Sequence, residues 1–144
     1  MKRTMMSTAA VSVFVLCIAA FAGAQDYTDM IKNEKLVAEA ANYMLSQGQM
    51  ISSAKNIDRP WLTDQGNQMA DKAQGYTDAG LMIPRGAMSA DMQEIGRLLK
   101  ETGLAFVKMG TQQGPLAQKE QKEISRLAGD MTGQARMMLG KYQK

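Results

Sequence analysis

The sequence predicts an all-helical fold, an antiparallel up-down-up-down four-helix bundle preceded by a signal peptide that is cleaved. Three observations predict this fold. Beyond residue 24, Ala, Leu and Met dominate the chain and favour helix, whereas valine occurs only at Val37 and Val107. No stretch alternates apolar and polar residues for long enough to form a strand. Pro60, Pro84 and Pro115 divide this part of the chain into four pieces of similar length, as expected for breaks between helices.

Residues 1–24 have the pattern of a secretory signal peptide. Lys2 and Arg3 form a positive n-region, Ala9 to Phe21 is almost wholly apolar, and the small residues Ala22-Gly23-Ala24 precede the predicted cleavage point. The apolar run is shorter than the roughly 20 residues that a membrane span needs. We therefore predict a mature chain, residues 25–144, that is periplasmic or secreted and keeps no stable membrane anchor.

The first two helices of the mature chain follow from apolar spacing. A 3-4 spacing along one stripe predicts a helix at about 27–55. A second helix is predicted at about 59–82, with Asp58 as its N-cap and Pro60 in its first turn. Its stripe follows a heptad that alternates large residues with small ones, as expected where a partner helix approaches closely. The large set is Leu62, Met69, Tyr76 and Ile83, and the small set is Gly66, Ala73 and Gly80.

The last two helices follow from capping signals. A third helix is predicted at about 89–110, with Ser89 as its N-cap. A fourth is predicted at about 115–142, with Pro115 in the first helical position. Because the connections are short, neighbouring helices should be antiparallel and form a single domain, residues 25–144.

Missing residue types exclude several kinds of chemistry. The chain has no histidine, and its one cysteine, Cys17, leaves with the signal peptide. This excludes catalytic triads, Cys-His pairs, histidine-ligated haem and cysteine zinc sites. Cleavage also removes Lys2 and Arg3 and leaves 15 basic against 14 acidic residues, so no basic surface for nucleic acid is expected. The match to a Ser-x-x-Lys motif at Ser52 and Lys55 lacks its companion motifs. We therefore predict no enzyme activity and no cofactor.

Methionine is the one candidate metal ligand. Eleven methionines remain in the mature chain, and thioethers are ligands that select Cu(I). The candidate metal residues are the spaced pair Met88 and Met92 and the adjacent pair Met137 and Met138. The alternative is that methionine fills an irregular helical core, which the position of most methionines on the predicted apolar stripes favours.

Glycine is unusually frequent inside the predicted helices. Nine glycines lie there, and each destabilises a helix interior by roughly 0.5–1 kcal/mol relative to alanine. Close helix–helix contact is the favoured explanation, and a deliberately loose bundle that admits a partner is the alternative. The nine are Gly48, Gly66, Gly75, Gly80, Gly96, Gly103, Gly129, Gly133 and Gly140.

The sequence thus predicts a small exported binding or interaction protein without catalytic activity. The expected partner is another protein rather than nucleic acid or a membrane, and a homo-oligomer stays open. One alternative is a periplasmic carrier that holds Cu(I) or a cofactor through methionine thioethers. The other is a periplasmic chaperone-like stress factor with an adaptable surface rich in Met and Gly.

Overall fold

The structure, a computed structural model, describes the backbone of residues 8–143 and the side chains of residues 28–143. Within that backbone it contains four helices and no strand, so the all-helical prediction is confirmed. The predicted signal peptide, residues 1–24, lies outside the residues with described side chains and stays a prediction. Among the described residues, no helix contains an apolar stretch that could span a lipid bilayer. The helices are α1 (Thr8–Ser53), α2 (Arg59–Met82), α3 (Ala87–Gly110) and α4 (Gln118–Tyr142).

The first helix departs from its predicted bounds. It begins at Thr8 rather than near residue 27, because no proline interrupts the sequence before Ser53. The chain forms two compact units, Met1–Asn33 and Glu34–Lys144. Their boundary therefore falls inside α1. The second unit holds the C-terminal part of α1 together with α2, α3 and α4.

The second helix has the predicted bounds and the predicted cap. Asp58 is in an extended conformation, and its side chain accepts a hydrogen bond from the Trp61 N–H at 2.8 Å. This bond satisfies one of the free N–H groups of the first turn. Pro60 lies in that turn, where a missing N–H does no harm.

The starts of α3 and α4 correct the sequence prediction. Ser89 is not an N-cap, because α3 begins at Ala87 and the buried Ser89 hydroxyl instead donates to the Gly80 carbonyl at 2.7 Å. That carbonyl lies in the last turn of α2, where it has no helical partner. Pro115 does not open α4, which begins at Gln118, and the Glu120 carboxylate accepts the Ala117 N–H at 2.8 Å.

Helices α2 and α3 approach each other very closely along three glycines of α3. A Cβ atom added to Gly103 would lie 2.6 Å from the Gly66 carbonyl oxygen. One added to Gly96 would lie 3.0 Å from the carbonyl oxygen of Ala73, and one added to Gly110 would lie 2.7 Å from that of Arg59. The three glycines recur every seven residues, and so does the small set of α2. The two helices are therefore antiparallel and in a register set by glycine.

Helices α1 and α4 form a second close pair. A Cβ atom on Gly48 would collide with the Thr132 hydroxyl and would lie 2.9 Å from the Ala128 carbonyl oxygen. The same arrangement of a glycine against a small residue and a threonine four positions later occurs where Gly96 meets α2. Seven residues away along each helix, Ala41 and Ala135 are fully buried. Small residues thus bring both pairs together.

The two pairs meet through larger side chains. Tyr43 of α1 contacts Tyr76 of α2, with ring centroids 5.9 Å apart. Helix α3 approaches α4 less closely than it approaches α2, and Asp91 near the start of α3 binds Lys141 near the end of α4. These contacts are consistent with a four-helix bundle. The largest fully buried side chains are Phe106, Met44, Leu62, Met69, Met92, Ile95, Leu99, Met131, Met138 and Val37.

Close contact explains only part of the glycine content. Of the nine glycines predicted inside helices, five lie where a Cβ atom would meet a neighbouring helix within 3.0 Å: Gly48, Gly66, Gly80, Gly96 and Gly103. For the other four, the described neighbours leave open space around an added Cβ atom: Gly75, Gly129, Gly133 and Gly140.

We expect Gly103→Ala to lower the free energy of unfolding by about 1–3 kcal/mol, because the new methyl group would meet the backbone of α2, which no rotamer change can move away. Gly75→Ala is the matched control. It should raise the free energy of unfolding by about 0.5–1 kcal/mol, because nothing lies within 4 Å of the new methyl group. Urea unfolding of both variants measures the two effects. Equal changes in both would contradict the close packing.

Candidate functional site

One end of the bundle collects most of the features that point to binding. We call it the tip end, because it carries the α2–α3 loop, residues 83–86, together with the start of α3 and the end of α4. The opposite end carries the α1–α2 and α3–α4 connections.

The end of α2 and the α2–α3 loop present apolar side chains to solvent. Leu81 and Met82, the last two residues of α2, are 70% and 86% exposed. With the exposed Pro84 and Arg85 they form a surface that we call the tip. The backbone of the tip is fixed to the bundle, because the Ile83 side chain is buried and the Ile83 N–H donates to the Ala79 carbonyl at 3.2 Å.

A second cluster joins α3 to α4 at the same end. The Asp91 carboxylate accepts hydrogen bonds from the Tyr142 hydroxyl at 2.6 Å and from the Lys141 ammonium at 3.0 Å. We call these three residues the latch. The Asp91 side chain is only 15% exposed, whereas that of Lys141 is 48% exposed. Burial, reinforced by the hydrogen bond and charge of Asp91, raises the pKa of Tyr142 well above its ordinary value, so the hydroxyl stays a donor.

The structure brings the two candidate methionine pairs to the tip end, but not onto one surface. Met92 and Met138 are buried in the core, and Met88 packs against that core from a half-buried position. Met137 is 54% exposed. Because successive residues of a helix point about 100° apart, Met137 and Met138 face different surroundings.

Two acidic side chains on α3 and α4 form ion pairs with arginines. Glu94 and Glu123 each bind an arginine on their own helix, Arg97 and Arg126, at 2.6 Å. Those hydrogen bonds lower the pKa of both carboxyls. Within residues 28–143, no three Asp, Glu or Cys side chains are placed to hold a metal ion together.

The end opposite the tip is fastened by one arginine. The Arg59 guanidinium donates to the Gly114 carbonyl at 2.6 Å, to the Pro115 carbonyl at 3.0 Å, and to the Met109 carbonyl. It also forms a two-pronged ion pair with Glu120 at 3.0 Å, with both side chains at most 15% exposed. Arg59 therefore ties the start of α2 to the end of α3 and the start of α4. We call this set of contacts the clamp, and its end of the bundle the clamp end.

Several cavities lie away from the tip, and two of them are lined by residues of α1. A groove of about 480 Å³ between α1 and α2 is lined by Tyr43, Gln47, Gln68, Asp71 and Lys72. The Gln47 carbonyl oxygen is buried without a hydrogen-bond partner, the one such side-chain atom found in the described chain. Burial raises the pKa of Tyr43 and of Tyr76 beside it.

The second cavity, of about 320 Å³, lies at the clamp end. Ile51 and Ile124 form its buried part, and polar groups surround them. The hydroxyls of Ser52 and Ser125 both bond carbonyls of their own helices. In the Ser-x-x-Lys match, the Ser52 hydroxyl donates to the Gly48 carbonyl at 2.8 Å, a hydrogen bond within its own helix.

Comparison of the chain with models of known protein families, with curated proteins and with solved structures finds no match. Arguments about function therefore rest on the geometry of the chain itself.

Sequence reasoning missed the latch and the clamp. The sequence predicts no tertiary contact for Asp91 or for Arg59. Neither has a local signal, because their partners lie 50 or more positions away in the sequence. The tip had a visible signal, since Leu81 and Met82 are adjacent apolar residues directly before Ile83 and a proline.

We expect the acid stability of the protein to depend on the clamp. The Arg59 hydrogen bond, then that of the Ala117 N–H, lowers the pKa of Glu120. The stabilisation is therefore complete above the ordinary carboxyl pKa of about 4.3 and is lost as the pH falls through the lowered value. Glu120→Gln should destabilise the protein at about pH 6 and much less at about pH 2.5, as measured by urea unfolding across pH.

The control uses an Arg59→Met background, in which Glu120→Gln should change the pH dependence far less. A wild-type pH dependence that Glu120→Gln leaves unaltered would show that the clamp carboxylate does not contribute.

Proposed function

We propose that the chain is a small exported binding protein without catalytic activity, whose partner is another protein. The observation that carries the proposal is the tip. Leu81 and Met82 are the two most exposed large apolar residues of the described chain. Burying two such side chains against a partner would contribute on the order of 1.5–3 kcal/mol each.

The surroundings of the tip suit recognition. Buried Ile83 and the Ser89 hydrogen bond fix the loop, so little order has to be gained on binding. Met82 is unbranched and polarizable and adapts to an irregular apolar surface. Arg85 adds a cation beside it, which favours a partner with an apolar depression and an acidic rim. The signal-peptide pattern of residues 1–24 supports placing this partner outside the cytoplasm.

Site-specific photo-cross-linking in the native compartment tests the proposal. A photoreactive residue at position 82 should yield one discrete adduct, and one at position 104 should not. Leu104 is the matched control, because it is also exposed and apolar at 54%, but lies within α3. Leu81→Ser should abolish the adduct. The same adducts at both positions, or none at position 82, would refute the proposal that the tip binds the partner. A broad smear of adducts would favour the chaperone-like alternative.

The soft-metal carrier is a second candidate, supported by the position of Met88, Met92 and Met138 in or against the core at the tip end. If three thioethers bind Cu(I), the ion should raise the melting temperature under reducing conditions. The combined Met88→Leu and Met138→Leu substitutions should remove that rise, and Met50→Leu, on α1, should not. An unchanged melting temperature of the wild-type protein with Cu(I) would eliminate this candidate.

A further inference from the structure

The chain connections restrain the bundle at one end only. The two segments that pass between the close helix pairs, residues 54–58 and 111–117, both lie at the clamp end. The loop at the tip end, residues 83–86, joins α2 to α3 and so stays within one pair. Separation of the pairs at the tip end would therefore stretch no connection.

Side-chain contacts show the same asymmetry. At the clamp end Arg59 binds three carbonyl groups of the α3–α4 region and the Glu120 carboxylate. These hydrogen bonds join Arg59 to backbone carbonyls and to the largely buried Glu120 carboxylate, and together they hold α2, α3 and α4 in place. Toward the tip end the described hydrogen bonds between the pairs all end on a single carboxylate, that of Asp91. The ring contact of Tyr43 with Tyr76 is a further link between α1 and α2.

Within each pair, by contrast, the helices cannot separate in small steps. Gly103 and Gly66 bring two backbones into contact, and Gly48 does the same against α4. The seam between the pairs is instead filled by flexible side chains such as Met92 and Met138, which can adopt other rotamers. The pairs are therefore the rigid parts and the seam is the deformable part.

We propose that the bundle opens at its tip end, with the α2–α3 pair and the α1–α4 pair separating about the clamp end. Asp91, Lys141 and Tyr142 form the latch that holds it shut. Opening moves the start of α3 away from the end of α4 and uncovers Met92 and Met138. It needs no partner or ligand, so it goes beyond the binding function proposed above and is measured on the isolated protein.

Distance distributions between paired spin labels test the opening. The full chain carrying Cys17→Ser is free of native cysteine. Labels at Ala87→Cys and Met137→Cys report on the tip end, and labels at Lys108→Cys and Lys122→Cys report on the clamp end. All four positions are exposed. We expect a minor population with a longer distance at the tip end and a single population at the clamp end.

Tyr142→Phe removes the hydroxyl bond to Asp91 and keeps the ring. Because a hydrogen bond to a charged group can shift an equilibrium by about tenfold or more, the longer-distance population should rise about tenfold at the tip end. The clamp-end distribution should not change. Tyr43→Phe is the matched control, since it removes a hydroxyl from the same bundle away from the latch, and it should leave both distributions unaltered.

Three results would overturn the proposal. They are a tip-end distribution that Tyr142→Phe leaves unchanged, equal broadening at both ends, and an equal response to Tyr43→Phe. Urea unfolding of each labelled variant establishes that the measured chains are folded. Failure to cross-link a partner at position 82 would bear on the proposed function and not on these distances.

Discussion

The close approach of helix backbones at glycine governs the structure of the Glu34–Lys144 unit. Where Gly103 faces Gly66, and where Gly48 faces Ala128, there is no room for a Cβ atom. This lack of room fixes the register, since a shift along the seven-residue repeat would place a larger side chain against a backbone. It also decides which helices are partners. Small residues draw α2 to α3 and α1 to α4, and the bulky side chains are left to fill the space between the two pairs.

From that constraint follows the distribution of methionine. The space between two closely packed helix pairs is wider and less regular than the contact inside a pair, and unbranched methionine side chains fill such space well. Six methionines are buried in the core: Met44, Met69, Met92, Met109, Met131 and Met138. A high methionine count and a high glycine count are thus two consequences of one packing arrangement. The polar contacts between the two helix pairs lie at the ends of the seam, where the clamp and the latch are found.

Much of this fold could be predicted from local sequence, and the reasons for the rest are physical. The heptad of α2, with its alternating large and small sets, predicted a close partner helix, and α3 supplies one. The starts of α3 and α4 were wrong because Ser89 and Pro115 serve other helices: the Ser89 hydroxyl donates to Gly80, and the Pro115 carbonyl accepts from Arg59. Rules for helix capping consider only the residues next to a helix end, so they do not include a hydrogen-bond partner on another helix. Likewise, nothing within either methionine pair indicates that the start of α3 and the end of α4 share one end of the bundle.

The glycines without contacts bear on how firmly α4 is held. Gly129, Gly133 and Gly140 face open space, so each lowers the intrinsic stability of α4 by roughly 0.5–1 kcal/mol with no packing gain among the described residues to offset it. Helix α4 also carries Lys141 and Tyr142. A helix of low intrinsic stability depends more on its tertiary contacts, and elements that move are drawn from the less stable parts of a fold. The two explanations for the helical glycines therefore apply to different helices: close contact accounts for those of α3, and looseness for those on the outer face of α4.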